Sequence, residues 1–201
     1  EEWRLANIAY IKHWLQLAGE TGVENIRMLT GYYQDGEDRR ELEELTLRGI
    51  EECLPVAERY GVNMAIENHN SIFFRGKEIV ELIRHFDSPR LTTCPDLSNG
   101  YAIFDPECPE SEYEAMWDNF REMLPYATDC HVKIKSNGSA EPAYDWDWER
   151  IVRTCLEYGY HGPIHFEAIG EEDLIAPLPA ACQRLRRAIS ALTTTIEKKG
   201  S

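Results

Sequence analysis

The spacing of apolar residues predicts a chain that alternates helices and strands. Apolar side chains recur every three or four residues in six segments, which predicts helices at about residues 3–19, 40–60, 76–86, 111–123, 146–158 and 175–196. Short apolar runs between them predict five strands, "NIRMLTG", "NMAIE", "RLTTCPD", "DCHVKIK" and "PIHFEA". Such alternation is typical of a parallel sheet covered by helices, either a barrel or a doubly wound sheet.

Three junctions between a helix and the following strand share one sequence pattern. In "ETGVENIRML", "RYGVNMAIE" and "EYGYHGPIHFE" a glycine closes the helix, and an aliphatic or aromatic residue follows it directly. Glycine suits the left-handed residue that ends a helix, and the next residue can pack back on the last turn. The repeat indicates consecutive αβ units. Because no low-complexity linker divides the chain, we expect residues 1–201 to form a single domain.

Four of the predicted strands end in, or contain, a side chain that can bind a metal ion. Glu67, Asp96, His131 and Glu167 follow one another at separations of 29, 35 and 36 residues, about one βα unit each. In a barrel the strand ends converge at the C-terminal face. In an open sheet they would lie in a row about 4.8 Å apart and could not all reach one ion. The constellation therefore favours a barrel, although single acids at strand ends are also common as helix caps or solvated loop residues.

The segments "AIENHN", "CPDLSNG", "CHVKIK" and "GYHGPIHFEAIGEED", in this order and at these spacings, resemble the xylose isomerase-like TIM-barrel superfamily of sugar isomerases and epimerases. The resemblance covers nearly the whole chain and implies an α/β fold of the (β/α)8 TIM-barrel type. Aligned on these motifs, the chain begins at the helix before the fourth barrel strand, so the first three strands are missing. It is then a fragment, a natural partial barrel, or a barrel completed by a homo-oligomer or a partner chain.

The resemblance also implies a site and an activity. Members of the superfamily hold one divalent ion with Glu, Asp, His and Glu, which correspond here to Glu67, Asp96, His131 and Glu167. Three carboxylates and one imidazole suit Mn²⁺, Mg²⁺ or Co²⁺, and suit Zn²⁺ less well. Glu67 and Glu167 are the implied catalytic acid and base, which would move a proton of a small sugar through an enediolate.

We therefore expect a metal-dependent isomerase or epimerase of a small sugar or sugar derivative. Two alternatives stay open. The same metal and base would serve a dehydratase of keto-sugars or cyclic polyols, and a partial barrel without catalytic activity would be a metal-binding module in a larger assembly.

Three further residues are candidates for substrate binding. Strand periodicity puts Lys133 on the same face as His131, where it would bind substrate or pair with a neighbouring acid. His69 is in phase with Glu67 and would contact substrate or orient a ligand. Asn99 stands three residues after Asp96, where several branches of the superfamily have His, and it supplies only neutral hydrogen bonds.

Other polar residues have more ordinary interpretations. Asn68 is out of phase with Glu67, so we expect it to fix the loop, and we expect Lys135 to pair with an acid. His165 lies deeper in its strand and is predicted to be a buried, hydrogen-bonded histidine. The direction of Arg27, towards the barrel or towards the helices, is left open. The segment 97–110 is long for a βα connection and has room to act as a lid.

Charge and cysteine content narrow the classes of partner. The formal net charge is −15, from 36 acidic and 21 basic residues spread along the chain, and such a surface repels nucleic acid and anionic membranes. An apurinic-site endonuclease, which needs a basic groove, is therefore disfavoured. Six scattered cysteines, no membrane-spanning run and no signal-peptide pattern indicate a cytoplasmic protein. The expected partner is a small carbohydrate.

Overall fold

The computed structural model describes residues 2–170 and 172–199, with side chains up to residue 193. The helices are α1 (Glu2–Thr21), α2 (Arg39–Tyr60), α3 (Gly76–Phe86), α4 (Glu110–Met123), α5 (Trp148–Glu157) and α6 (Leu178–Lys199). The strands are β1 (Asn25–Met28), β2 (Asn63–Glu67), β3 (Leu91–Cys94), β4 (His131–Lys135) and β5 (His165–Ile169). Helix α5 begins two residues later than the apolar pattern predicts, because Asp147 caps it and accepts a hydrogen bond from the Arg150 N–H.

The five strands form an arc of a parallel barrel in chain order. Strand β2 pairs with β1 and β3, and β4 pairs with β5, all in parallel. A bridge between Asp96 and His131 connects β3 to β4, where the His131 N–H donates to the Pro95 carbonyl at 2.9 Å. Within the described residues, β1 and β5 each pair on one side only. The TIM-barrel prediction is confirmed, with five of the usual eight strands among the residues that the structure describes.

The three glycine junctions have the backbone geometry that the sequence predicts. Gly22, Gly61 and Gly159 lie in the left-handed region, with φ of 78°, 70° and 77°. In each case the residue after the glycine donates its N–H to the carbonyl five positions earlier. These hydrogen bonds join Val23 to Ala18 at 2.8 Å, Val62 to Ala57 at 3.0 Å and Tyr160 to Cys155 at 2.8 Å. Each of these hydrogen bonds closes its helix and turns the chain towards the next strand.

The alternation of strand side chains separates the core from the site. Met64 and Ile66 of β2 pack in one apolar cluster with α1, α2 and α3. Val132 and Ile134 of β4 pack in a second cluster with α4, α5 and α6. The alternate positions of these strands, Glu67 among them, point away from the helices. The strands therefore present their polar side chains to the inside of the arc.

Helix α1 also exposes large aromatic residues away from this core. Trp3, Tyr10 and Trp14 are 82%, 62% and 43% exposed. Among the described helices, none combines the length and the apolar character needed to cross a membrane.

Candidate metal and substrate site

The four predicted metal-binding residues come together on the inside of the arc. Glu67 ends β2 and Asp96 follows β3 by two residues, but His131 is the first residue of β4, and Glu167, predicted to close its strand, is the third of the five residues of β5. One ligand atom from each of Glu67, Asp96, His131 and Glu167 lies within 4.8 Å of the other three. Ligands of a six-coordinate Mg²⁺ lie about 3 Å apart when adjacent and about 4.2 Å apart when opposite, so only a slight convergence is needed. Carboxylate oxygens and imidazole nitrogens are also ligand types that such an ion binds. The residues present therefore fit one divalent ion.

Asp96 is fixed by the chain on both sides of it. The side-chain amide of Asn68 donates to the Asp96 carbonyl at 2.9 Å and accepts from the Asp96 N–H at 2.7 Å. Oδ1 of Asp96 accepts hydrogen bonds from the Ser98 N–H, the Ser98 hydroxyl and the Asn99 N–H at 2.8, 3.0 and 2.8 Å. Asn68 thus fixes the loop, as predicted, and Oδ2 is left as the oxygen that faces the site.

Glu67 is fully buried and is held by three side chains. Arg27 donates from Nε to Oε2 at 2.6 Å and forms a second contact through Nη2. Oε1 lies 3.2 Å from Nδ1 of His131 and accepts from the Asn99 amide at 3.4 Å. Burial raises the pKa of Glu67, but the hydrogen bond with His131 and the charge of Arg27 outweigh burial, so the pKa is lowered. Glu67 is therefore ionised at neutral pH.

Lys133 lies between the other two carboxylates. Its Nζ donates to Oδ2 of Asp96 at 2.9 Å and to Oε2 of Glu167 at 2.7 Å, and its side chain is only 12% exposed. Burial lowers the pKa of Lys133, but these two carboxylates raise it more. Lys135, expected to pair with an acid, instead donates to the Phe104 carbonyl at 3.4 Å, because its position on β4 lies beyond the carboxylates.

His131 lies between the carboxylate group and a second cluster. Burial lowers the pKa of His131. The hydrogen bond with Glu67 and the charges of Glu67, Asp129 and Asp96 together outweigh burial, so the pKa is raised. Cys94, Asp129 and His131 also offer ligand atoms within 4.8 Å of one another. Burial raises the pKa of the Cys94 thiol far above neutral, so this thiol stays protonated and is a poor ligand. The carboxylate group is the better metal site.

His165 differs from its prediction. It is hydrogen-bonded as expected, with Nδ1 2.8 Å from Oδ1 of Asp129, but its side chain is 57% exposed. The prediction of burial is wrong because β5 pairs only with β4 in the described part of the chain, so the first residue of β5 has no strand covering its other side.

The predicted substrate-binding residues lie at different places. Lys133 and Asn99 contact the carboxylates directly. His69 follows β2 and donates its N–H to the Glu67 carbonyl at 3.0 Å. Its buried Nδ1 has no hydrogen-bond partner among the described residues.

Aromatic packing holds the 97–110 segment against its neighbours. Phe104 makes edge contacts with Tyr144 and Trp146 at centroid distances of 5.2 and 6.0 Å. The guanidinium of Arg75 lies over the ring of Tyr101 at 5.3 Å. Trp146 in turn donates from Nε1 to the Lys133 carbonyl at 2.8 Å, which connects this aromatic group to β4. A lid function for this segment stays a prediction.

Arg27 is the site residue that the sequence reasoning did not assign. Its Cα is opposite Ala65, two residues before Glu67, so its long side chain reaches along the inside of the arc to the Glu67 carboxylate. One signal was present in the sequence, since Arg27 is a charged residue between the apolar Ile26 and Met28 of a short strand.

Comparison with known proteins agrees with this architecture. A family model described as xylose isomerase-like TIM barrel matches residues 1–188. None of the curated proteins matches the chain in sequence.

Three solved structures illustrate the likeness in fold. A xylose isomerase-like TIM-barrel protein from Mycobacterium smegmatis in complex with magnesium has a TM-score of 0.68 at 20% identity, covering 93% of this chain and 68% of its own. The 3-keto-D-glucoside 4-epimerase from E. coli has a TM-score of 0.65 at 18% identity, and the match covers 96% of this chain and 73% of the epimerase. Mannonate dehydratase from Streptococcus suis serotype 2 has a TM-score of 0.67 at 12% identity, and the match covers 94% of this chain and 73% of the dehydratase. With the family model matching over residues 1–188, the chain belongs to the xylose isomerase-like TIM-barrel family.

Proposed function

We propose that this chain carries the active site of a divalent-metal-dependent isomerase or epimerase that acts on a small sugar or sugar derivative. The observation that carries the proposal is the meeting of Glu67, Asp96, His131 and Glu167, from four successive βα units, within 4.8 Å. The epimerase among the solved structures of this fold supports the same reaction class.

The four residues would hold one ion, Mn²⁺, Mg²⁺ or Co²⁺. When bound, the ion would polarise the carbonyl of a keto-sugar and acidify the neighbouring C–H bond. The magnesium complex of the Mycobacterium smegmatis protein supports a hard divalent ion.

The two glutamates are the proposed acid and base. Glu67 is ionised, as a general base must be, although its lowered pKa makes it a weaker base. Glu167 is 35% exposed and is reachable from solvent. The two belong to β2 and β5, with Asp96 and His131 between them in the strand order. One glutamate can therefore remove a proton and the other return it, passing through an enediolate.

Two neutral or cationic donors complete the proposed site. Asn99 and Lys133 already donate hydrogen bonds to the carboxylates, so their side chains lie where substrate hydroxyl or carbonyl oxygens would bind. His69 is kept as a third substrate-binding candidate at the end of β2.

A dehydratase of keto-sugars or cyclic polyols is the second candidate. Removal of a proton next to a carbonyl is also the first step of eliminating water, so the same base would serve. The mannonate dehydratase of the same fold supports this alternative.

One experiment separates the two activities. The Mn²⁺-loaded chain is incubated in D₂O with D-fructose, D-tagatose and D-psicose, and the products are followed by NMR and mass spectrometry. An isomerase or epimerase gives a new sugar that carries deuterium beside the carbonyl, whereas a dehydratase gives a product lighter by one water. The proposal fails if neither product forms with any divalent ion and no deuterium enters the sugars.

Location and partners are proposed on the sequence alone. The acidic surface and the scattered cysteines support a cytoplasmic protein that binds a small carbohydrate and not nucleic acid. A single domain over residues 1–201 and a second chain completing the barrel are kept as proposals.

A further inference from the structure

The candidate metal site already contains a cation that belongs to the chain. Nζ of Lys133 lies 2.9 Å from Oδ2 of Asp96 and 2.7 Å from Oε2 of Glu167. Two of the four residues that would bind an ion therefore direct a carboxylate oxygen at an ammonium group. With its side chain 12% exposed, Lys133 has little access to solvent as an alternative partner.

Asp96 has no second oxygen to offer an ion. Oδ1 accepts three hydrogen bonds, from the Ser98 N–H, the Ser98 hydroxyl and the Asn99 N–H. A carboxylate oxygen has two lone pairs, so Oδ1 is saturated. Oδ2 is the only oxygen of Asp96 left for a metal ion, and Lys133 is bound to it.

The other cations near the site do not replace Lys133. Arg27 forms its ion pair with Glu67 and acts on Glu167 through its charge, without an ion pair to that residue among the described contacts. Lys135, two residues further along β4, contacts the Phe104 carbonyl. Lys133 is therefore the side chain that neutralises Asp96 and Glu167 together.

We infer that Lys133 is an internal counter-ion of the metal site, which occupies Asp96 and Glu167 until a divalent ion displaces its ammonium group. The inference rests on the proposed function, because it takes the four residues to be a metal site. It explains why two buried or half-buried carboxylates can lie side by side before an ion binds. It also gives Lys133 two successive partners, first the two acids and then, once displaced, an oxygen of the substrate.

The test is a calorimetric titration of the metal-stripped chain with Mn²⁺. Lys133→Met removes the competing charge and should bind Mn²⁺ about tenfold or more tightly than the wild type, since one positive charge beside a divalent ion is lost. Lys133→Arg keeps the charge and should stay within about threefold of the wild type. Lys135→Met is the matched control on the same strand and face, and its affinity should not change.

Each outcome decides the inference. Equal or weaker Mn²⁺ binding by Lys133→Met, in a variant that retains the circular dichroism of the wild type, would overturn it while leaving the metal site standing. Binding by Lys133→Met but not by the wild type would support it in a stronger form. If no variant binds Mn²⁺, the proposed function fails and the inference fails with it. Lys133→Gln, which keeps a polar side chain, replaces Lys133→Met if that variant does not fold.

Discussion

Asn68 and Asp96 form two hydrogen bonds across the ends of two neighbouring strands. The side-chain amide of Asn68 donates to the Asp96 carbonyl at 2.9 Å, and the Asp96 N–H donates to the amide oxygen of Asn68 at 2.7 Å. Both residues are buried, so neither bond is shared with solvent. This pair sets the position of Asp96, and thereby of Oδ2, relative to Glu67 on the adjacent strand.

Removal of the Asn68 amide should therefore weaken metal binding without removing a ligand. We expect Asn68→Ala to lower the affinity for Mn²⁺ by about 10- to 100-fold, the usual effect of losing a residue that orients a ligand. Calorimetry on the metal-stripped protein measures it. Asn7→Ala, on an exposed face of α1, is the control, and equal affinities for the two variants would contradict the role given to Asn68.

The two glutamates should be required for turnover as well as for metal binding. Glu67→Gln and Glu167→Gln keep the size of the side chain but lose the charge and the basicity. We expect each to reduce kcat by about 100-fold or more on any sugar that the wild type converts, because general acid–base catalysis contributes about that much. Glu81→Gln, exposed on α3, should keep wild-type activity. Normal turnover by either site variant would remove that glutamate from the mechanism.

Metal affinity should depend on pH through His131. Because the pKa of His131 in the folded protein is raised, protons compete with the ion up to a higher pH than for an ordinary histidine. Mn²⁺ affinity should therefore keep rising as the pH increases above about 6.5, the ordinary histidine value, and His131→Asn should lose this dependence. His13→Asn, on α1, is the control.

The stability of the metal-free protein should change in the opposite direction. The pKa of His131 is higher in the folded protein than in the unfolded chain, where it is about 6.5. The protonated His131 therefore stabilises the folded protein fully below that unfolded pKa, and this stabilisation is lost as the pH rises through the folded pKa. Urea unfolding of the wild type and of His131→Asn at several pH values separates this contribution from that of the other groups. A wild-type profile identical to that of the variant would contradict it.

Arg27 should stabilise the metal-free protein. Glu67 is fully buried, and its Oε2 is bound by Arg27. We expect Arg27→Met to lower the free energy of unfolding by about 1–3 kcal/mol, because the buried carboxylate loses its charged partner. Urea denaturation without metal measures this. Arg48→Met is the control, since Arg48 is exposed and lies 3.9 Å from Glu44. A loss no larger than that of the control would show that Glu67 does not depend on Arg27.

The exposed aromatic face of α1 should mediate association. Trp3, Tyr10 and Trp14 are exposed, and β1, the strand that follows α1, pairs on one side only in the described part of the chain. We expect the isolated chain to sediment as more than one copy at high concentration, since exposed apolar surface and open sheet edges favour pairing. The double substitution Tyr10→Glu with Trp14→Glu should restore a monomer, whereas Tyr158→Glu, exposed after α5, should not. A wild-type monomer at all concentrations would contradict the expectation.

The sequence by itself determined the order of elements and the candidate metal-binding residues. Helical and strand periods are local, and the glycine junctions at 22, 61 and 159 mark where the chain leaves a helix for β1, β2 and β5, so one metal-binding candidate in each of four βα units could be named from spacing alone. Glu67, Asp96, His131 and Glu167 come from four neighbouring βα units of one parallel arc, which brings their side chains to the same region. Their exact positions on the strands were not determined by spacing, since His131 begins β4 and Glu167 lies in the middle of β5.

The tertiary structure decided which cation meets which acid. Arg27 and Glu67 are 40 residues apart, and Lys133 and Glu167 are 34 residues apart, so no local pattern can pair them. The exposure of His165 likewise depends on β5 having one neighbouring strand, which strand periodicity does not reveal. Periodicity tells which face a side chain takes. Its partner depends on side-chain length and rotamer, and on which strand lies alongside, and these are properties of the assembled sheet.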